Sequence, residues 1–312
     1  MDAAPGMVYS VMGPLVPQGL GTIDGHTHVW IEAVGAQDAN APVLTALPEI
    51  IAEVMAYHAA GGTAIVDCQP GGCGRDGRRL LEISERAHVA IIAATGFHLR
   101  RYYPPYAPVF HSSADDARQQ FIDELTHTLA ENAGSPTPVR AGFIKIACEA
   151  TLAASPRHLI EAAVQAAVAT DAAIEVHTER GAEAAAIMRF MLDKGLPAGK
   201  LILCHMDKRP DVALHRELAQ AGVALEYDTF FRPKYGDVVW PLIEQMLAAG
   251  HEDALVLATD MADSKLLLTS AGGPGAAALL TQVIPRLNDM GVPAATVRKL
   301  TGQNIARRLA RG

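Results

Sequence analysis

Short apolar, β-branched runs alternate along the chain with longer stretches in which apolar residues recur at helical spacing. The runs cover residues 21–30, 63–69, 89–99, 142–148, 173–178, 201–206, 223–229 and 254–260. Most lack the every-other-residue polar pattern of a strand with one face in water, so they read as parallel strands covered on both sides. The stretches between them carry helix punctuation. Leu47-Pro48 opens a helix that Gly61-Gly62 closes, and within it Ile50, Ile51, Val54, Met55 and His58 recur at helical spacing. Ser155-Pro156 reads as an N-cap followed by a proline in the first helical position, ahead of the stripe Ile160, Val164 and Val168. Gly195, Gly222 and Gly250 stand where helices should end. Pro241 predicts that the helix in 237–249 starts near it or kinks there.

Eight strand–helix units in one uninterrupted series predict an α/β protein, a (β/α)8 TIM barrel occupying residues 1–312 as a single domain. The competing architecture is an open doubly wound sheet. That fold normally places a glycine-rich phosphate turn after its first strand, whereas here the first run leads into His26-Thr27-His28.

Composition narrows the classes. The 312 residues suit one barrel, and with half of them hydrophobic and 19% charged the chain can bury a large core, which excludes global disorder. The net charge of −8 argues against a nucleic-acid partner. No apolar run approaches the roughly 20 residues of a spanning helix, so no membrane partner is expected. Met1–Gly6 has neither the basic start nor the apolar stretch of a signal peptide. Cys68, Cys73, Cys148 and Cys204 fit no zinc spacing and no secreted disulfide framework, and they read as reduced thiols of a cytoplasmic protein.

Candidate chemistry collects at strand ends. His26 and His28, two apart on one strand, project to the same side and make half of a metal site. Their alternative is a pair of ordinary polar histidines. Later runs end on His177, His205 and Asp260, each a ligand-type residue at the C-terminal end of an apolar strand, where a barrel holds its active site. Lys145 interrupts the apolar run Gly142–Cys148. A buried ammonium is costly, so two states are open to it. It can pair with Glu149 or Asp260, or lose its proton, add carbon dioxide and become a bridging carbamate.

These residues resemble the phosphotriesterase family of the amidohydrolase superfamily. The resemblance runs through Val11-Met12-Gly13-Pro14, Leu20-Gly21, His26-Thr27-His28, Phe143-Ile144-Lys145-Ile146, Val176-His177-Thr178, Cys204-His205-Met206-Asp207, Ala258-Thr259-Asp260 and Gln303-Asn304. It implies a binuclear centre of two divalent ions, zinc by default. One ion would be held by His26, His28 and Asp260, the other by His177 and His205, with carbamylated Lys145 and a hydroxide bridging them. The bridging hydroxide would attack the substrate, with Asp260 taking the proton and His205, together with Asp207, helping to move it. Asp207 can equally be a helix N-cap. Family members are often dimers, so a homodimer is the implied assembly.

The expected reaction is hydrolysis of a lactone or carboxyl ester, with phosphotriester hydrolysis as the alternative. A one-metal deaminase-like enzyme and a non-catalytic barrel binding protein are the remaining classes. His98 stands where lactonases of the family carry tyrosine and the phosphotriester specialists carry tryptophan. His98, Arg100, Tyr102, Lys208, Arg209, Asp228 and Lys234 are candidate substrate contacts, and Arg75, Arg78, Arg79, Arg101, Arg232 and Lys265 fall on the same set of loops. Together these bases predict a positive mouth and a small-molecule substrate bearing an anionic group. Trp30 and Trp240 read as packing residues.

Overall fold

The computed structural model describes residues 6–312; the first five residues of the N-terminal segment considered above lie outside that range. A small antiparallel hairpin, β1 (Val8–Ser10) and β2 (Gly13–Leu15), comes first. The barrel strands follow as β3 (Thr22–Thr27), β4 (Gly62–Asp67), β5 (Ala90–Gly96), β6 (Ala141–Ala147), β7 (Ile174–His177), β8 (Leu201–Cys204), β9 (Ala224–Tyr227) and β10 (Leu255–Leu257). All eight pair in parallel and in chain order, which is the sheet of a TIM barrel rather than of an open doubly wound fold. The seam between β3 and β10 is closed largely by side chains. Asp24 accepts from the Thr259 amide (3.1 Å) and hydroxyl (2.5 Å), and the Asp260 amide donates to the His26 carbonyl (2.8 Å).

The intervening helices are α1 (Leu47–Ala59), α2 (Gly77–Ala87), α3 (Ala114–Thr126), α4 (Arg157–Thr170), α5 (Ala184–Asp193), α6 (Val212–Gln220) and α7 (Val239–Ala248). Gly195, Gly222 and Gly250 take positive φ just past α5, α6 and α7, as expected of helix-ending glycines. Pro241 falls in the first turn of α7, where its missing N–H costs no helical bond. One expected cap is corrected. The residue preceding α4 is Pro156 and it gives no side-chain cap; the Ser155 hydroxyl instead accepts from the Glu149 amide (3.0 Å) and donates to the Thr151 carbonyl (2.9 Å). Ser155 therefore folds the loop after β6 instead of starting the helix.

The strands are shorter than the apolar runs because several runs continue into the loops at the mouth. The hairpin was absent from the predicted strands: three-residue strands are too short for alternation to register. It lies against the bottom of the barrel, where the Tyr9 carbonyl approaches Gly142 so closely that a Cβ there would collide with it. At the other end Gly96, with φ of +108°, lets β5 turn directly against the Lys145 carbonyl, so a side chain at 96 would displace the strand that carries the lysine. The final helical stretch spans 294–309, and Asn304 donates to the Glu252 (2.7 Å) and Leu255 (2.8 Å) carbonyls, fixing the start of β10. Among the described residues no helix is long and apolar enough to cross a membrane.

Candidate metal centre

The six predicted ligand positions converge at the C-terminal end of the barrel. His26 and His28 leave β3 on the same side, and both Nε2 atoms lie 3.8 Å from Asp260 Oδ1. Across from them, His177 Nδ1 faces His205 Nε2 at 2.9 Å. The rings form a continuous group, with centroids 5.7 Å apart for His26–His28, 5.0 Å for His26–His205 and 4.7 Å for His177–His205. Lys145 lies among them, fully buried, with Nζ 3.5 Å from His26 Nδ1.

Hydrogen bonds on the far sides of the rings fix which nitrogen faces the centre. His28 Nδ1 meets Gln69 Oε1 at 2.8 Å, His26 Nδ1 meets Glu226 Oε1 at 2.5 Å, and His205 Nδ1 meets Asp228 at 2.8 Å. A ring whose Nδ1–H is taken by an oxygen presents the Nε2 lone pair, which is the orientation a metal-binding histidine requires. Burial, reinforced by neighbouring positive groups, pushes the pKa values of His26, His177 and His205 below the ordinary value and that of His28 down to about 4. The imidazoles are therefore neutral near pH 7. Burial alone would raise the Asp260 pKa, but His205 and the Arg232 guanidinium, 3.0 Å from Oδ2, outweigh it and keep the carboxylate ionised.

Two of these residues are held in strained backbone. His205 (φ 60°) and Asp260 (φ 46°) occupy the left-handed region, which non-glycine residues enter at a cost of about 1–3 kcal/mol. Asp228 supplies part of the restraint by also accepting from the His205 amide (3.1 Å). Neutral nitrogens and one ionised carboxylate, already oriented around a common centre, fit divalent cations well. His26, His28 and Asp260 also form one compact donor group, each offering an atom within 4.8 Å of the others.

Beneath the ligands lies a buried floor. The Lys145 ammonium donates to Glu175 Oε1 at 2.7 Å and approaches Cys204 Sγ at 3.1 Å; Cys68 Sγ reaches the same Glu175 oxygen at 2.8 Å. The two ion-pair partners considered for this lysine were Glu149 and Asp260, but the residue beside it is Glu175, its register neighbour on β7. Burial alone would lower the Lys145 pKa. Cys204, Cys68, Glu175 and Glu226 act the other way, and the net direction is upward. Burial also raises both thiol pKa values, so near pH 7 the thiols are neutral and Glu175 is the group that retains the proton on Lys145. Glu175 and Glu226 escaped the sequence reading, although the signal existed. Each lies two residues before a polar strand-end residue, His177 or Asp228, and so on the same inward face.

Above the ligands opens a cavity of about 640 Å³. Of the proposed substrate contacts, His98, Tyr102, Lys208 and Lys234 line it. The His98 ring is wedged between Tyr102 and His177, 4.9 and 5.0 Å from their ring centroids, and its Nδ1 accepts from the Leu99 amide (2.8 Å). Asp228 is buried behind His205, outside the lining. Arg100 stacks on Phe110 (4.4 Å), and Arg209 packs beneath Gly181; neither lines the cavity. Asp207 Oδ2 accepts from the Asp228 amide (3.1 Å) and from the Thr229 amide (2.8 Å) and hydroxyl (2.6 Å). It thereby ties the end of β9 to the turn after His205. The N-cap of α6 is Asp211. Arg75 does not reach the mouth at all: it is buried and paired with Glu124 and Glu131. Arg79 bonds Glu82 (2.8 Å) and lies over the buried Trp30, while Trp240 packs against Phe230. Arg101 and Arg232 line the cavity as the loop reading anticipated, and Glu179, Arg180 and Tyr235 join them as residues that reading did not single out as contacts.

Comparison with known proteins bears on the family and the fold. The model of the phosphotriesterase family matches residues 6–309. The N-acetyltaurine hydrolase of Xenopus tropicalis is 24% identical over 97% of this chain and 98% of its own. A phosphotriesterase-related protein of Aedes aegypti is 27% identical over 83% of this chain and 76% of its own. Among solved structures, a lactonase from Listeria monocytogenes superposes with a TM-score of 0.89 at 22% identity, covering 98% of this chain and 99% of that one. A resiniferatoxin-binding protein from Rhodobacter sphaeroides gives 0.83 at 26% identity, covering 98% and 95%.

Proposed function

The chain belongs to the phosphotriesterase family and is a metal-dependent hydrolase, and from that premise we propose that it cleaves a lactone or other carboxyl ester bearing an anionic group. The observation that carries the reading is the pair of donor sets facing one another across the barrel: His26, His28 and Asp260 on one side, His177 and His205 on the other, with Lys145 in the floor beneath, beside His26 Nδ1. In this proposal the two sets hold two divalent ions, zinc first, and Lys145 is carbamylated. When bound, the ions would lower the pKa of a water near them and polarise the acyl oxygen.

The protein's own groups supply the remainder. Gln69, Glu226 and Asp228 hold His28, His26 and His205 in the tautomer that points a lone pair at the centre. Asp260, kept ionised by Arg232, is the base that takes the proton of the attacking water and passes it to the leaving oxygen. His98 and Tyr102 flank the acyl group at the inner end of the cavity. Lys145 would reach the carbamate state by turning away from Glu175, giving up its ammonium proton to become the free amine, and adding carbon dioxide at Nζ with loss of a second proton to water.

A second reading is favoured by the N-acetyltaurine hydrolases among the relatives: the scissile bond is then an amide, and the anionic group a sulfonate or carboxylate on the amine side. The same base serves both, since Asp260 would return the proton to nitrogen instead of oxygen. The test is a turnover panel of neutral lactones, carboxylated and phosphorylated lactones, and N-acyl amino acids and N-acyl amino sulfonates, run with divalent metal and bicarbonate. Cleavage of anionic lactones supports the first reading and cleavage of N-acyl compounds alone replaces it with the second. Turnover of neutral lactones only removes the anionic group from both.

A further inference from the structure

The walls of the cavity differ in chemistry. The loop between β3 and α1 contributes Ala33, Val34, Ala36, Ala41, Pro42 and Val43, a small-residue apolar surface. Its two acids are Glu32, whose carboxylate lies 3.4 Å from Trp30 Nε1, and Asp38, which accepts from the Asn40 amide. The loops after β7, β8 and β9 contribute Arg180, Lys208, Arg232 and Lys234. In an eight-stranded ring β7 and β8 lie four and three strands from β3, so Arg180 and Lys208 stand across the mouth from the apolar loop, while β9, which precedes Arg232 and Lys234, is two strands away.

Charge pairing sharpens the contrast. Arg232 is neutralised by Asp260 (3.0 Å), and Arg101, reaching over from the loop after β5, approaches Glu179 (3.6 Å). Arg180, Lys208 and Lys234 have no carboxylate within 4.0 Å among the described residues. Lys208 is the half-buried member of that trio, on the turn that follows His205. An ammonium partly withdrawn from water, with no carboxylate in contact and facing a cavity, gains from an anion placed against it. Acids on the apolar loop repel the same anion, which fixes the direction of binding.

We infer that the substrate is an amphiphile, resting on the hydrolase reading above: its anionic group lies against Lys208, and an aliphatic arm on the far side of the scissile carbonyl lies along the β3–α1 loop. A cavity of about 640 Å³ holds such a molecule. Each methylene placed on the apolar loop tightens binding by up to about fourfold, the value for a fully buried one. Loss of the Lys208 charge weakens it about tenfold or more.

Straight-chain alkanesulfonates from ethane- to hexanesulfonate test this by calorimetry on the metal-loaded protein, since a sulfonate is a poor metal ligand and cannot be hydrolysed. The dissociation constant is expected to fall at every added methylene in the wild type. Lys208→Gln should raise it about tenfold for every chain length, whereas Lys299→Gln, on the far side of the molecule, should not. Val34→Asp should abolish the chain-length dependence alone. Affinity independent of chain length, or equal effects of Lys208→Gln and Lys299→Gln, overturns the inference. Sulfonates that bind in the expected pattern while the whole turnover panel stays silent leave it standing and remove the hydrolase reading; turnover without sulfonate binding does the reverse.

Discussion

Two buried cations, Arg75 and Lys145, show how differently one barrel can treat a charge. Arg75 uses all its donors: Nε meets Glu131, Nη1 meets Glu124 and the Ala94 carbonyl, and Nη2 meets both carboxylates, at 2.5–2.9 Å. Its partners are acids in good geometry, and Arg75 in turn holds the Glu124 pKa below its ordinary value against the upward push of burial. Lys145 has one carboxylate oxygen, one thiol sulfur at 3.1 Å and a ring nitrogen at 3.5 Å that already faces Glu226. A satisfied guanidinium is a fastener. The ammonium of Lys145 has soft and shared partners and lies directly under five metal-type side chains. Burial alone does not separate the two; donor satisfaction does.

Replacing each residue should therefore break different things. Lys145→Ala should lower kcat/KM of the folded fraction by about a thousandfold, ~4 kcal/mol of transition-state stabilisation, and lower its metal content, besides any stability lost because Glu175 is left buried without its cation. Arg75→Met should cost about 3–5 kcal/mol of stability because Glu124 is left buried without its partner, but leave kcat of the folded fraction unchanged within about twofold. If Arg75→Met silenced the enzyme at full stability, the contrast would collapse. Asp228→Asn tests the layer between them: it removes the carboxylate that orients His205 and should cost about 10–100-fold in activity or metal affinity. Metal titration of the purified variant reads that directly.

The smallest effect concerns pH. His215 lies on the buried face of α6 against the Tyr227 hydroxyl (2.7 Å), and burial lowers its pKa to about 4. The unfolded chain binds this proton more readily, so the stabilisation is complete above about pH 6.5 and is lost as pH falls towards 4. His215→Gln should flatten the slope of stability between those values by up to one proton and leave it unchanged above pH 7. Urea titrations at intervals of half a pH unit check it.

Much of this was legible in the residues. The eight strands are visible because parallel strands covered on both faces need continuous apolar runs, and the cluster at the mouth because imidazoles and a carboxylate at the ends of such runs need polar partners. What escaped was set by three-dimensional pairing. Arg75 follows β4 in sequence and was grouped with the mouth, yet it folds back to two acids about 50 residues away. Glu175 and Glu226 stand two residues before His177 and Asp228, so the two-residue period of a strand points to them, but a glutamate inside an apolar run does not by itself say which cation it meets. Ser155 looked like a cap because Ser-Pro before a helical stripe usually is one; here its hydroxyl serves the preceding loop.

The central claim is that unmodified Lys145, held by Glu175, is the resting form of a residue that completes a two-metal centre as a carbamate. Metal analysis together with carbon-13 NMR of protein loaded in labelled bicarbonate tests both parts at once. The account predicts two divalent ions per chain and a carbamate resonance that is absent in Lys145→Ala. One ion or none, with Lys145 unmodified in an active enzyme, would contradict it.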